Sequence, residues 1–262
     1  FTKFFFNRKR TGKEILQKIE DAEYVLVGLG QEFDMEFFLQ SREDYRRIRE
    51  QLQQQNAMWL LPYVQAQFRE KYLPEMEAEI EKGLQKLAKV LEKKSYFVVS
   101  SSLNHKLAEV PWKKLLLKKD RFVAPCGNWT KKQCPDGCEE GIQAVTEKDT
   151  ERLQECFKEL QNSSFSIPML GKCPKCGKTL VLNNVYAGRY DEKGYLNNWT
   201  DYQTWLQNTM NHKMVLLEIG EGNRFPTIIR SPFEKIALFQ QKADLYYIEG
   251  EQNPIAWLLS LC

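Results

Sequence analysis

The sequence predicts an α/β protein: a doubly wound, mainly parallel sheet with a small zinc-binding and helical lobe inserted into it. Three observations point there. Four short apolar runs alternate with stretches of helical periodicity. Strands buried on both faces read as continuous apolar runs, and their alternation with helices implies parallel pairing with helices on both sides. Two cysteine pairs, Cys134-Pro135-Asp136-Gly137-Cys138 and Cys173-Pro174-Lys175-Cys176-Gly177, have the spacing of metal-binding knuckles. Finally, 262 residues with a net charge of +3 and no apolar stretch approaching a bilayer span fit a globular chain. The mild charge, with no basic tract interleaved with aromatics, argues against nucleic acid.

The elements follow in order. Ile15, Leu16 and Ile19 share a face of a helix over 14–20. Tyr24-Val25-Leu26-Val27 reads as a buried strand that ends at Gly28-Leu29-Gly30. Ser41-Arg42-Glu43-Asp44 has the pattern of a helix cap, for a helix running to about Asn56. Pro74 opens a longer helix, with Met76, Ile80, Leu84, Leu87 and Leu91 in one stripe. Tyr96-Phe97-Val98-Val99 is a second strand, running into Ser100 to His105. Arg121 to Ala124 is a short strand. Inside the cysteine-bearing lobe, a helix is expected over 149–161. Thr200 to Gln203 and Ser231 to Glu234 are further capping patterns, for helices reaching about Asn211 and Ala243. Met214 to Ile219 and Leu245 to Glu249 are the third and fourth long strands, and a short apolar helix closes the chain.

Two loops that each present two thiolates can close a tetrahedral zinc site. Cys134, Cys138, Cys173 and Cys176 are therefore expected to hold a structural zinc ion, with no open position for chemistry. Two disulfides or four unrelated thiols are the alternatives. Seven cysteines, an odd number, fit a reducing compartment, and a cytoplasmic location is expected. On that basis the sequons at Asn128, Asn162 and Asn198 are chance. The opening Phe1 to Phe6 is too short and badly flanked for a signal peptide. The basic run from Lys113 to Arg121 is interrupted by leucines and reads as a solvated face.

Parallel sheets bind ligands beyond the carboxyl ends of their strands. Three such ends are candidates: Gly28-Leu29-Gly30, Ser100 to His105, and Gly220-Glu221-Gly222. Glycine there lets backbone N–H groups approach a phosphate, although a plain strand-ending turn explains Gly-x-Gly equally well. Neither GxGxxG nor a Walker lysine motif is present.

Taken together, these stretches resemble the sirtuin family. Val27-Gly28-Leu29-Gly30 stands where sirtuins have the Ala-Gly-Ala-Gly loop that cradles the NAD pyrophosphate. Tyr96 to His105 resembles the strand and Thr-x-Asn-Ile/Val-Asp motif. Cys126-Gly127 stands at the catalytic His-Gly, and the four cysteines match the zinc ligands. Glu218-Ile219-Gly220-Glu221-Gly222-Asn223, followed by Pro226 and by Ser231-Pro232-Phe233-Glu234, is similar to the macrodomain-linked bacterial class, which reads Glu-Leu-Gly-x-Gly-x-x-x-Pro followed by Pro-Phe. The resemblance covers about Glu14 to Glu249 and is poor between Gln31 and Lys94. It implies a Rossmann-like NAD-binding domain over 14–125 and 182–262, with a zinc-binding lobe inserted over 126–181.

The departures fall on the chemistry. Cys126 replaces the histidine base, and a neutral thiol is a poor base. It is either a substitute for the catalytic histidine, a redox-sensitive thiol, or a small residue filling the vacated space. Ser102 and Asn104 replace the Asn and Asp of the family, so a carboxylate is missing from the nicotinamide pocket. Leu29 replaces a small alanine, and the Pro-Asp-Phe-Arg lid motif does not appear after Gln31. His105 is either a hydrogen-bonded support or a group near the nicotinamide end. His212 is assigned no chemistry. Glu218 binds a ribose hydroxyl, orients a substrate, or is a solvated strand end. Glu249 stands where sirtuins have an Asn near the adenine ribose. Trp129 either lines the acceptor channel or packs the lobe. The resemblance thus implies catalytic positions Ser102, Asn104, His105 and Cys126, and NAD contacts at Gly28, Leu29, Gly30, Gly220, Glu221, Gly222 and Glu249. The expected function is transfer of ADP-ribose from NAD to a protein acceptor, with nicotinamide released. An inactive NAD or ADP-ribose sensor is the alternative, and NAD-dependent deacylation comes third. NAD and a protein acceptor are the expected partners, with no nucleic acid and no membrane.

Overall fold

The chain is described by a computed structural model covering residues 12–110, 112, 121–138, 141–250 and 253–261. The Phe1 to Phe6 stretch and all but the last residue of the basic run from Lys113 to Arg121 lie outside those residues. Five strands form one parallel sheet: β1 (Tyr24–Leu29), β2 (Ser95–Ser100), β3 (Phe122–Val123), β7 (Met214–Ile219) and β8 (Ala243–Ile248). Their spatial order is β3-β2-β1-β7-β8. The chain starts in the middle, builds one wing, then crosses over to build the other. A switch point therefore lies between β1 and β7.

The register places the strand ends side by side. Leu29 pairs with both Ser100 and Ile219, and Ile219 pairs with Ile248. The residues that follow, Gly30, Ser101, Gly220 and Glu249, thus start one common rim.

The central strands β1, β2 and β7 are buried on both faces, which is why they read as continuous apolar runs. On one face, Val25, Val27 and Leu29 pack against α1 (Gly12–Asp21), α5 (Pro74–Leu91) and α9 (Pro254–Ser260). The predicted stripe of α5 supplies Ile80, Leu84, Leu87 and Leu91, all buried. On the other face, Leu26, Phe97 and Leu216 meet Tyr202 and Trp205 of α7 (Leu196–Gln207) and Phe233 of α8 (Arg230–Phe239).

A second, antiparallel sheet of three strands has the order β5-β4-β6, from β4 (Gly127–Gln133), β5 (Gln143–Ala144) and β6 (Val181–Asn184). It belongs to the cysteine-bearing lobe, which also holds α6 (Glu147–Gln161). A separate core joins this lobe to α2 (Glu36–Gln40), α3 (Glu43–Gln54) and α4 (Leu61–Tyr72), through Tyr45, Leu52, Tyr63, Phe68, Leu153, Leu160 and Leu182.

Three expected caps are not formed. Arg42, not Ser41, precedes α3, and the Ser41 hydroxyl donates back to the Phe38 carbonyl. Thr200 lies inside α7 and bonds the Leu196 carbonyl one turn back. Arg230 and Ser231 are already helical in α8, which ends at Phe239 rather than Ala243. A reciprocal cap does form at Thr146, which accepts from the Asp149 N–H while Asp149 accepts from the Thr146 N–H.

Candidate functional site

The two glycine loops at the switch point meet backbone to backbone. Gly30 N–H donates to the Ile219 carbonyl at 2.8 Å, and Glu32 N–H donates to Gly220 at 3.0 Å. A Cβ on Gly30 would stand 2.2 Å from Glu221 Cα and from the Gly220 carbonyl oxygen. Gly220 has φ of +63°, where side chains are strained. The other predicted contacts are placed differently. Gly28 faces α8, where a Cβ would meet the Ile229 side chain, and the Leu29 side chain lies in the core. Gly222 lies beside Gln31, whose Oε1 accepts from the Arg224 N–H.

A carboxylate that the sequence reading did not find faces this crevice. Asp34 sits in the short turn after β1 (Gln31–Asp34) and is fully buried. Its Oδ1 accepts from the Ser102 hydroxyl at 2.6 Å and from the Leu103 N–H at 2.8 Å. Its Oδ2 has no hydrogen-bond partner, and the Arg224 guanidinium stands 3.9 Å away. Burial raises the Asp34 carboxyl, although Ser102, Arg69 and Arg224 pull the other way. The only sequence signal was an acidic residue inside the run Phe33-Asp34-Met35, in the stretch where the resemblance is poor.

Glu221 is the second buried acid, at 3% exposure. Its Oε2 accepts from the Ser101 hydroxyl at 2.6 Å, and its Oε1 is buried without a partner. Burial raises its carboxyl to about 7, against the Ser101 hydrogen bond. Cys126 is within electrostatic reach of both acids. Its thiol is fully buried, and burial, then Asp34 and Glu221, push its pKa up, so it is a neutral thiol at neutral pH.

Ser102, Asn104 and His105 turn away from β2 in a tight, hydrogen-bonded segment. The Ser102 hydroxyl also accepts from the Asn104 N–H. The Asn104 amide donates to the Phe33 carbonyl and to Glu77, and its oxygen accepts from the Lys106 N–H. Glu77 in turn pairs with the buried Arg69 at 2.7 Å. Asn104 therefore has its hydrogen-bonding capacity taken up within the chain. His105 Nδ1 accepts from the Trp129 indole at 3.0 Å, which leaves the proton on Nε2. Burial lowers its pKa to about 4, with Arg69 and Lys106 adding to the effect. It is a neutral hydrogen-bond donor, and Trp129 packs against both it and Tyr63.

On the far wing Arg230 joins two acids, donating to Glu218 at 2.5 Å and to Glu249 at 2.6 Å. Glu218 is buried, and its Oε2 has no partner. Glu249 is on the rim but already ion-paired. His212 lies on the opposite edge against Glu23.

The four predicted zinc ligands converge: the sulfurs of Cys134, Cys138, Cys173 and Cys176 lie within 4.8 Å of one another. Cys134 and Cys176 are 3.5 Å apart. Tetrahedral zinc with Zn–S of about 2.3 Å requires S···S of about 3.8 Å, so the cluster fits the ion and not a disulfide. Tight turns create this geometry. Gly137 and Gly177 take positive φ, and Gly177 N–H donates to the Cys173 carbonyl. Against the upward push of burial, N–H groups of Cys138 and Asp136 hold the Cys134 thiol down toward the thiolate. Such a site is structural, because all four positions are protein sulfur.

No family model matches the chain. A protein ADP-ribosyltransferase from Staphylococcus aureus is 23% identical over 119 residues, which is 45% of this chain and 36% of that protein. The match thus spans about a third of the relative's length. Among solved structures the chain is similar to a Sir2 homologue in complex with NAD, at 15% identity over 96% of this chain and 88% of the other, with a TM-score of 0.49. A complex of Sir2 with a p53 peptide and NAD+ gives 13% identity, 94% coverage of each chain and a TM-score of 0.41. These neighbours are Sir2 homologues, the family that the motifs resemble. The architecture itself stands on the strand order and the four-cysteine cluster of this chain.

Proposed function

We propose that this chain binds NAD at the switch-point crevice and transfers ADP-ribose to a protein acceptor, releasing nicotinamide. The observation that supports this best is the buried Asp34 carboxylate on Ser102. It supplies, from a different position, the acid that Asn104 does not. With one oxygen fixed and the other unpartnered, it can accept a hydrogen bond from the nicotinamide carboxamide and hold the leaving group. The glycine loops at Gly30 and Gly220 to Gly222 are the proposed lining of the pyrophosphate subsite, by close approach of backbone, since the Gly30 and Gly220 N–H groups already donate to the Ile219 and Ile248 carbonyls. Arg224, half-buried beside Asp34 and Tyr186, supplies positive charge for the phosphates. Glu218 and Glu249, aligned by Arg230, are the proposed acceptors for adenine-ribose hydroxyls. The zinc lobe, packed on α2 to α4, fixes one wall of the cleft. Zinc thiolates suit a reducing compartment, and we place the activity in the cytoplasm.

Deacylation of the ordinary sirtuin kind is disfavoured, because Cys126 is a neutral thiol and the His105 Nδ1 lone pair is occupied. The same two facts favour a second reading, a sensor that binds NAD or ADP-ribose without turnover. Calorimetric titration with both nucleotides, followed by a nicotinamide-release assay, separates the two. Binding with nicotinamide release in the presence of an acceptor protein is expected. Binding without release would leave the sensor, and no binding would refute both.

A further inference from the structure

We infer that Glu221 is the general base of the proposed transfer, doing what a histidine at the position of Cys126 would do. This rests on the transferase reading above. Glu221 stands between Gly220 and Gly222, just beyond the carboxyl end of β7, and is buried. Ser101 fixes Oε2, and Oε1 is buried with an open lone pair. Other groups at the site are less suited to that role. Cys126 is buried as the thiol and His105 Nδ1 already accepts from Trp129. Asp34 Oδ1 is occupied by Ser102 and Leu103, and its Oδ2 faces the Arg224 guanidinium and is the group proposed above for the nicotinamide carboxamide.

The step balances as follows. The attacking group of the acceptor forms its bond to C1′ of the nicotinamide ribose and gives its proton to Glu221 Oε1. The C1′–N bond breaks, its electron pair returns to the pyridinium ring, and nicotinamide leaves neutral. Glu221 then passes the proton to water. A base works best with a pKa near the working pH, and burial brings Glu221 to about 7. Glu218 and Asp34 oppose its ionisation, while Arg230 and the Ser101 hydroxyl favour it. The charges of Asp34 and Glu221 act on Cys126 and raise its thiol, and Arg224, 3.9 Å from Asp34, acts in the opposite sense.

The test uses the full zinc-loaded chain with NAD as donor and methanol as a small O–H acceptor, between about pH 5 and 9. Glu221→Gln should lower nicotinamide release by about a hundred- to ten-thousand-fold. Its calorimetric NAD affinity should stay within a few fold. The wild-type rate should rise with pH through an apparent pKa near 7. Ser101→Ala removes a bond that favours the carboxylate, so it should move that limb to higher pH, a shift that loss of folding would not produce. Wild-type turnover with a Glu221→Gln rate within ten-fold and an unmoved pH limb in Ser101→Ala would overturn the base and leave the transferase reading standing. A wild-type chain that binds NAD but releases no nicotinamide with methanol or with an acceptor protein overturns both.

Discussion

Replacing Glu221 with glutamine also makes a prediction about stability that needs no substrate. The carboxyl is almost fully buried, and folding moves its pKa from 4.5 to about 7. Above that value the folded chain must hold a charge in a dry place. One pKa unit corresponds to about 1.4 kcal/mol, so the shift amounts to about 3 kcal/mol before any allowance for solvent. Residual screening at the crevice brings this to about 1–3 kcal/mol. The sign follows from linkage. An acid whose folded pKa is raised adds stability below its unfolded pKa, and that stability is lost as the pH rises through the folded value. Glutamine keeps the shape and can still accept from Ser101, but it carries no charge. Glu221→Gln should therefore be more stable than the wild type by about 1–3 kcal/mol at pH 8 and equal to it near pH 4. Urea unfolding followed by tryptophan fluorescence at the two pH values reads this directly. A variant no more stable at pH 8, or one that gains equally at both pH values, would refute the buried-acid reasoning. A gain in stability alongside a loss of turnover is what a functional, destabilised site should show.

Other outcomes follow from the same geometry. Glu77→Gln leaves the Arg69 charge buried without its partner, and should cost about 3–5 kcal/mol in urea unfolding, whereas Arg69→Met combined with Glu77→Met should recover most of it. Gly30→Ala forces a methyl against the Glu221 backbone, and should cost about 1–3 kcal/mol and weaken NAD binding at least about ten-fold by calorimetry. Atomic absorption on fresh, reduced protein should find about one zinc per chain, and Cys173→Ser should lose the metal and expose the lobe to protease. His105→Gln should leave the pH profile of nicotinamide release unmoved, because the imidazole, at about 4, is already neutral throughout the working range.

The parallel sheet was readable because its central strands are buried on both faces, so Val25 to Val27 and Val215 to Leu217 form unbroken apolar runs. The zinc knuckles were readable because ligand spacing is local. Helix α4 was not, since Leu61, Pro62, Tyr63, Val64, Gln65 and Ala66 are all buried and leave no polar face to set a period. The capping patterns at Ser41, Thr200 and Ser231 misled for a related reason. A Ser or Thr followed by Glu, Gln or Asp also fits inside a helix, as at Thr200, whose hydroxyl bonds back one turn, or at the end of the preceding helix, as at Ser41. Asp34 was invisible because its role depends on Ser102, a contact across 68 positions that β1 and β2 create by pairing. The same holds for Glu221 and Ser101, which the sheet register brings together from opposite wings.

That register also constrains how the chain can be made. β1 finds β2 and its first wing early, but its other edge pairs only with β7, whose first residue, Met214, is 190 positions beyond Tyr24. During synthesis this central strand must wait, with a row of unpaired backbone groups on one side, until the lobe and α7 have emerged. Pairing across so long a loop is slow, and an open edge invites other strands. The crevice is therefore among the last features to exist, and a nucleotide that bridges its two loops would select chains whose wings have closed correctly.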